Sequence, residues 1–183
     1  MKIEKTWIEN INNMRFIGIR YEDSDRNEAN NSFDYLWKEW FETKRFEQLS
    51  NNRNPYFNKA YIGFTNTLDN NSYWIGMFFD KDEFIPAGFD FFDFVASEVV
   101  CSEISDTYES SELFGLEAIN ESIDAFIDKG YFKKYKISQD WFFELYDQNK
   151  YNNKNETSSI KYYFKLRVAT AEDEQFLKEV SSK

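Results

Sequence analysis

Residues 60–79 read AYIGFTNTLDNNSYWIGMFF. Two apolar runs, Ala60–Thr65 and Ser72–Phe79, flank Asp69-Asn70-Asn71, a turn whose side chains tolerate left-handed backbone. The runs are rich in aromatic residues, and the pattern predicts two strands. Side chains alternate across a strand, so Tyr73 and Trp74 point to opposite faces and at most one of them lines a given pocket. Upstream lies an Asn-rich loop, Ser50–Asn58, with one proline. Before it, Phe33, Leu36, Trp37, Trp40 and Phe41 recur at helical spacing and Phe46 extends the pattern, which predicts a helix over Phe33–Leu49. Ser32 suits its N-cap and Asp34 its first turn. Met14–Tyr21 (MRFIGIRY) alternates as a strand does. The order is strand, helix, strand, strand.

The second half repeats that order. After a charged loop, Asp80–Gly88, come strand-like runs at Phe89–Ala96 and Val99–Ile104. A helix is expected over Glu112–Lys129, with Phe114, Ala118, Ile119, Ile123, Phe126 and Ile127 on its apolar face and Gly130 as its stop. Trp141–Tyr146 and Ile160–Val168 read as strands joined by an Asn/Lys-rich loop, and a polar tail offers Phe176 and Leu177 as anchors. The expected fold is α+β: one domain over residues 1–183, built of two strand–helix–strand–strand modules at about 3–80 and 85–168, with a tail at 169–183. An antiparallel or mixed sheet would carry its helices on one side. Two such halves packed about a pseudo-twofold axis leave a cleft, a common place for a ligand.

Composition narrows the function. The 183 residues carry a net charge of −11, one cysteine and no histidine. A chain this long buries roughly two thirds of its unfolded surface without staples. Cys101 alone can form no internal disulfide and no zinc-thiolate cluster. Without histidine, His-based triads and the commonest metal ligand are excluded. Asp80, Asp82 and Glu83 lack the spacing of a calcium loop, Ser110 and Ser111 have no visible base, and no phosphate loop or dinucleotide fingerprint is present. No metal and no cofactor are expected. The acidic balance repels phosphate backbones, so direct nucleic-acid binding is not expected; it favours solubility, a cationic ligand or a basic protein partner. No signal peptide or apolar span of membrane length is seen, and the expected place is the cytoplasm. Aromatic residues make up 20% of the chain, far above ordinary usage; some of this excess is core, and the ring faces attract cations.

The run Trp141-Phe142-Phe143-Glu144-Leu145-Tyr146-Asp147 carries the sharpest chemical signal. Alternation places Phe142, Glu144 and Tyr146 on one face. Either that face is solvated and Glu144 is a surface residue, or it lines a cavity in which the carboxylate needs a partner. Trp37 and Trp40 are core residues or pocket walls by the same reasoning. Gly18, Gly63 and Gly76 stand alone in strands, where a bulge or close approach is the usual meaning.

These features together resemble the GyrI-like effector-binding family: the strands YIGF and YWIGMFF, IPAGF at 85–89, FIDKGY at 126–131 and FELY at 143–146. The resemblance spans about residues 3–168. It implies two pseudo-twofold modules around a ligand cleft. Members serve as effector domains of multidrug-sensing transcription regulators, as stand-alone drug-binding proteins, as a gyrase inhibitor, or as hydrolases of reactive genotoxic compounds. The acidic residue of the family's E-x-Y motif falls on Glu144 and the tyrosine on Tyr146, which implies a carboxylate inside the pocket. Trp37, Tyr61, Trp74 and Phe91 are the candidate aromatic walls. No helix-turn-helix precedes or follows the domain, so a stand-alone binder of a flat, aromatic, cationic molecule is expected. A hydrolase using Glu144 and Tyr146 is the alternative, and an acidic inhibitor of a nucleic-acid enzyme the third reading. Phe126 stands where members commonly carry tryptophan, which weakens the carry-over of a hydrolytic site.

Overall fold

The computed structural model describes residues 1–28, 32–51, 53, 55–57, 60–106, 115–148 and 158–173. Its elements run β1 (Lys2–Ile11), β2 (Met14–Tyr21), α1 (Asp34–Glu42), α2 (Arg45–Ser50), β3 (Tyr61–Asn66), β4 (Ser72–Asp80), β5 (Asp90–Phe94), β6 (Ser97–Asp106), α3 (Leu116–Asp128), β7 (Tyr135–Tyr146) and β8 (Ser158–Val168). All eight strands join one antiparallel sheet in the order β1-β6-β8-β7-β3-β4-β2-β5. Exchanging β1–β4 with β5–β8 and reading backwards returns the same order. The strand order is thus the same for β1–β4 as for β5–β8, with β3 and β7 paired at its centre.

The turn at 69–71 forms as its chemistry dictates, with Asn70 and Asn71 at φ 49° and 56°. Two expectations need correction. The single helix over Phe33–Leu49 is two helices, because Lys44 takes a left-handed conformation at φ 56° and turns the chain between α1 and α2. An N-terminal strand, β1, was not foreseen; its alternation is broken by a bulge between Ile3 and Lys5, where it pairs with β6. The expected helix residue Phe114, the pair Ser110 and Ser111, and the tail anchors Phe176 and Leu177 lie outside the described residues.

The helices share one face of the sheet, as expected. Leu36, Trp40, Phe46, Leu49, Ala118 and Phe126 pack there against Ile17, Ile75, Met77, Val100, Tyr162 and Phe164. Among the described residues the opposite face carries no helix, yet Phe16, Phe64, Phe78, Phe94 and Phe143 are buried on it. Curling of the sheet buries them. Phe94 on edge strand β5 sits 4.7 Å from Trp141 on β7, centroid to centroid. Three strands separate β5 from β7 in the sheet order, a path of roughly 19 Å on a flat sheet. Among the described residues no helix is long and apolar enough to cross a membrane.

Candidate functional site

Glu144 leaves β7 on the helix face and stands in a row of cross-strand partners, with Tyr162 of β8 on one side and Gly63 of β3 on the other. Its carboxylate accepts a hydrogen bond from the phenol of Tyr73, which reaches over from β4. The phenols of Tyr146 and Tyr162 also hydrogen-bond to it. Tyr73 in turn accepts the indole N–H of Trp37 at 3.0 Å, and its ring stacks parallel on Phe33 at 4.4 Å. Trp37 meets the ring of Tyr146 edge-on at 4.9 Å. On the other flank, Tyr162 accepts the backbone N–H of Gly115, the N-cap of α3. The start of α1 and the start of α3 thus both converge on one carboxylate, through Tyr73 and Tyr162.

The electrostatics follow from this enclosure. Desolvation raises the Glu144 carboxyl above the ordinary glutamate value, and the three phenol donors oppose that rise. Burial pushes Tyr73, Tyr146 and Tyr162 well above the usual phenol range, and the negative charge of Glu144 pushes each further in the same direction. The phenols therefore stay protonated and act as donors. Tyr146 and Tyr162 are buried beneath, whereas Glu144, Tyr73 and Trp37 keep part of their surface open. No lysine or arginine among the described residues pairs with Glu144. The arrangement can hold a positive charge at the carboxylate between aromatic rings, or hold a proton for transfer.

Four of the six residues singled out in the sequence come together here: Glu144, Tyr146, Trp37 and Tyr61. Tyr61 pairs in register with Tyr146 and packs at 4.2 Å from Phe46. The other two do not. Trp74 points to the helix-free face, where it is buried edge-on against Phe16 at 6.2 Å and donates its indole N–H to Ser72 at 3.1 Å. Its neighbour Tyr73 takes the position on the site face. Phe91 lies on β5, three strands beyond β3, where it is 46% exposed with the Arg15 guanidinium 4.6 Å from its ring. Sequence reasoning missed Tyr162 and Phe33 as site residues. Tyr162 could have been found only with the β7–β8 register in hand, which pairs it with Glu144.

No family model and no curated protein matches the chain. Solved structures do. A putative bacterial transcription regulation protein from Staphylococcus aureus MU50 aligns with a TM-score of 0.63 at 12% identity, over 89% of this chain and 98% of its own. SAV2435, solved bound to tetraphenylphosphonium, gives 0.60 at 12% identity over 89% and 94%. The EcmrR C-terminal domain gives 0.59 at 10% identity over 90% and 98%. The chain has the fold of the GyrI-like effector-binding domains, as its sequence resemblance implied.

Proposed function

We propose that this protein binds a compact aromatic cation, with its positive charge at Glu144 and its rings among Trp37, Tyr73, Tyr146 and Tyr61. One observation carries the reading: a desolvated carboxylate, hydrogen-bonded by phenols and still partly open, pairs with no lysine or arginine among the described residues. A bound cation supplies that partner, and each aromatic face adds about 0.5–2 kcal/mol of cation–π attraction. The shared fold supports the reading, since SAV2435 was solved with tetraphenylphosphonium bound. The test is calorimetric titration with tetraphenylphosphonium and with triphenylphosphine oxide, a neutral compound of related shape. Tighter binding of the cation, lost in Glu144→Gln, is expected. Equal affinity for the two, or no binding of either, rules the reading out.

A second reading rests on the raised carboxyl of Glu144 beside Tyr146. A carboxyl shifted toward neutrality can exchange a proton with a reacting group, as in a hydrolase acting on an electrophilic small molecule. Multiple turnover of such a compound would favour it. One equivalent or less consumed after long incubation would leave binding alone.

A further inference from the structure

Gly63 is the residue whose missing side chain brings the site's acid and its phenol together. Glu144 and Tyr73 belong to β7 and β4, which lie on opposite sides of β3 and do not pair with each other. Their side chains can meet only by leaning inward over β3, and they do so above Gly63, the cross-strand partner of Glu144. A Cβ at Gly63 would meet Oε1 of Glu144 and the hydroxyl of Tyr73 at closer than 3.0 Å, and would stand 2.8 Å from Cγ of Glu144.

The sheet's other strand glycines differ in kind. An added Cβ at Gly18 or Gly76 would run into backbone, the carbonyl oxygens of Ile75 and Ile17. Those two serve close packing of strands. The space at Gly63 is filled by the ends of two site side chains: its φ is not positive, and the three atoms nearest an added Cβ all belong to the Glu144 and Tyr73 side chains.

We propose that Gly63 is a positioning residue of the ligand site, the seat that sets Glu144 against Tyr73 and, through Tyr73, against Trp37. Its bearing on ligand affinity rests on the binding function proposed above; its seating of the carboxylate does not. A side chain there parts the acid from the phenol and pushes the carboxylate from the place where it would meet a ligand's charge.

Two measurements on the full chain test this. In a melting-temperature cycle, Gly63→Ala is expected to lower Tm in the wild-type background and to lower it by less than half as much in the Glu144→Ala background, where the carboxylate is gone and the Tyr73 hydroxyl, the end of a side chain no longer held by it, can swing aside. Equal losses in both backgrounds, or no loss in the wild type, would overturn the proposal, because the glycine would then serve the backbone or nothing. In titration with tetraphenylphosphonium, folded Gly63→Ala is expected to bind about tenfold more weakly or worse, an effect of roughly 1.4 kcal/mol. Unchanged affinity would overturn the link to the ligand. Failure of the wild type itself to bind the probe would sink the binding function alone, and the melting cycle would still decide the role of Gly63.

Discussion

Tyr73 and Glu144 are 71 residues apart in sequence and hydrogen-bond across an intervening strand. The phenol is also the acceptor for Trp37 of α1, so a chain of donors runs from indole to phenol to carboxylate. One hydroxyl thereby ties α1 to the charge on β7. That linkage makes the position of a helix depend on the state of a single carboxylate, and its consequences can be measured.

Tyr73→Phe removes the hydroxyl and keeps the ring that stacks on Phe33. Glu144 then loses one of its three phenol donors and the Trp37 indole loses its acceptor. Leaving polar groups unpaired in a mostly buried place costs about 1–3 kcal/mol, with water able to replace part of it at a site still partly open. We expect a loss of about 1–2 kcal/mol in denaturant unfolding, with a shift in tryptophan emission as Trp37 is released. A variant as stable as the wild type, with identical emission, would show that the hydroxyl ties nothing together.

The carboxyl of Glu144 is raised in the fold, chiefly by desolvation, above its ordinary value of 4.5. The folded protein therefore holds this proton more tightly than the unfolded chain does. The stability it contributes is complete below about 4.5 and is lost as pH rises through the raised folded value. Glu144→Gln cannot lose a proton. The Tm of the wild type, measured relative to that of Glu144→Gln, should fall as pH is raised from 4.5 toward neutrality. A constant difference across that range would mean that the carboxyl is not raised in the fold.

The hairpin at 60–79 was legible because its strands are apolar, evenly alternating and joined by Asx residues suited to positive φ. Strand β1 was not, since KIEKTWIENI is charged along one edge of the sheet and its bulge at Ile3 and Lys5 breaks the period. The break between α1 and α2 falls on Lys44, where no glycine or asparagine announces a left-handed residue. In the site, Glu144 and Tyr146 could be read together because alternation within one strand puts them on one face. Tyr162 could not, because its place depends on pairing across a long connection and past a register shift between Ile137 and Phe142. Alternation separated Tyr73 from Trp74 but could not say which faced the helices.

That last ambiguity separates two tryptophans by experiment. Trp74 is packed among rings on the helix-free face, whereas Trp37 borders Glu144. Trp74→Ala should cost about 3–5 kcal/mol of stability. At a temperature where that variant remains folded, its affinity for tetraphenylphosphonium should match the wild type. Trp37→Phe should show the reverse: a small change in stability and weakened binding. If the folded Trp74 variant loses the ligand while Trp37→Phe retains it, the site lies on the other face of the sheet.

The curl of the sheet makes a prediction about its shortest strand. Edge strands of five residues are ordinarily tolerant of substitution, because one side is open to solvent. Phe91 behaves in that way: it is largely exposed and touched by Arg15, so Phe91→Ala should cost only about 0.5–1 kcal/mol, the worth of an exposed cation–π contact. Phe94, three residues on, is 2% exposed and meets Phe64, Phe78 and Trp141 at 4.7–4.9 Å. It closes the space that curling creates between β5 and β7, so Phe94→Ala should leave a cavity costing about 3–5 kcal/mol. Urea unfolding of the two variants checks the contrast. Similar small losses for both would mean that β5 lies flat at the sheet edge and that the helix-free face is open, since the burial of Phe64 and Phe143 depends on the strand folding back over them.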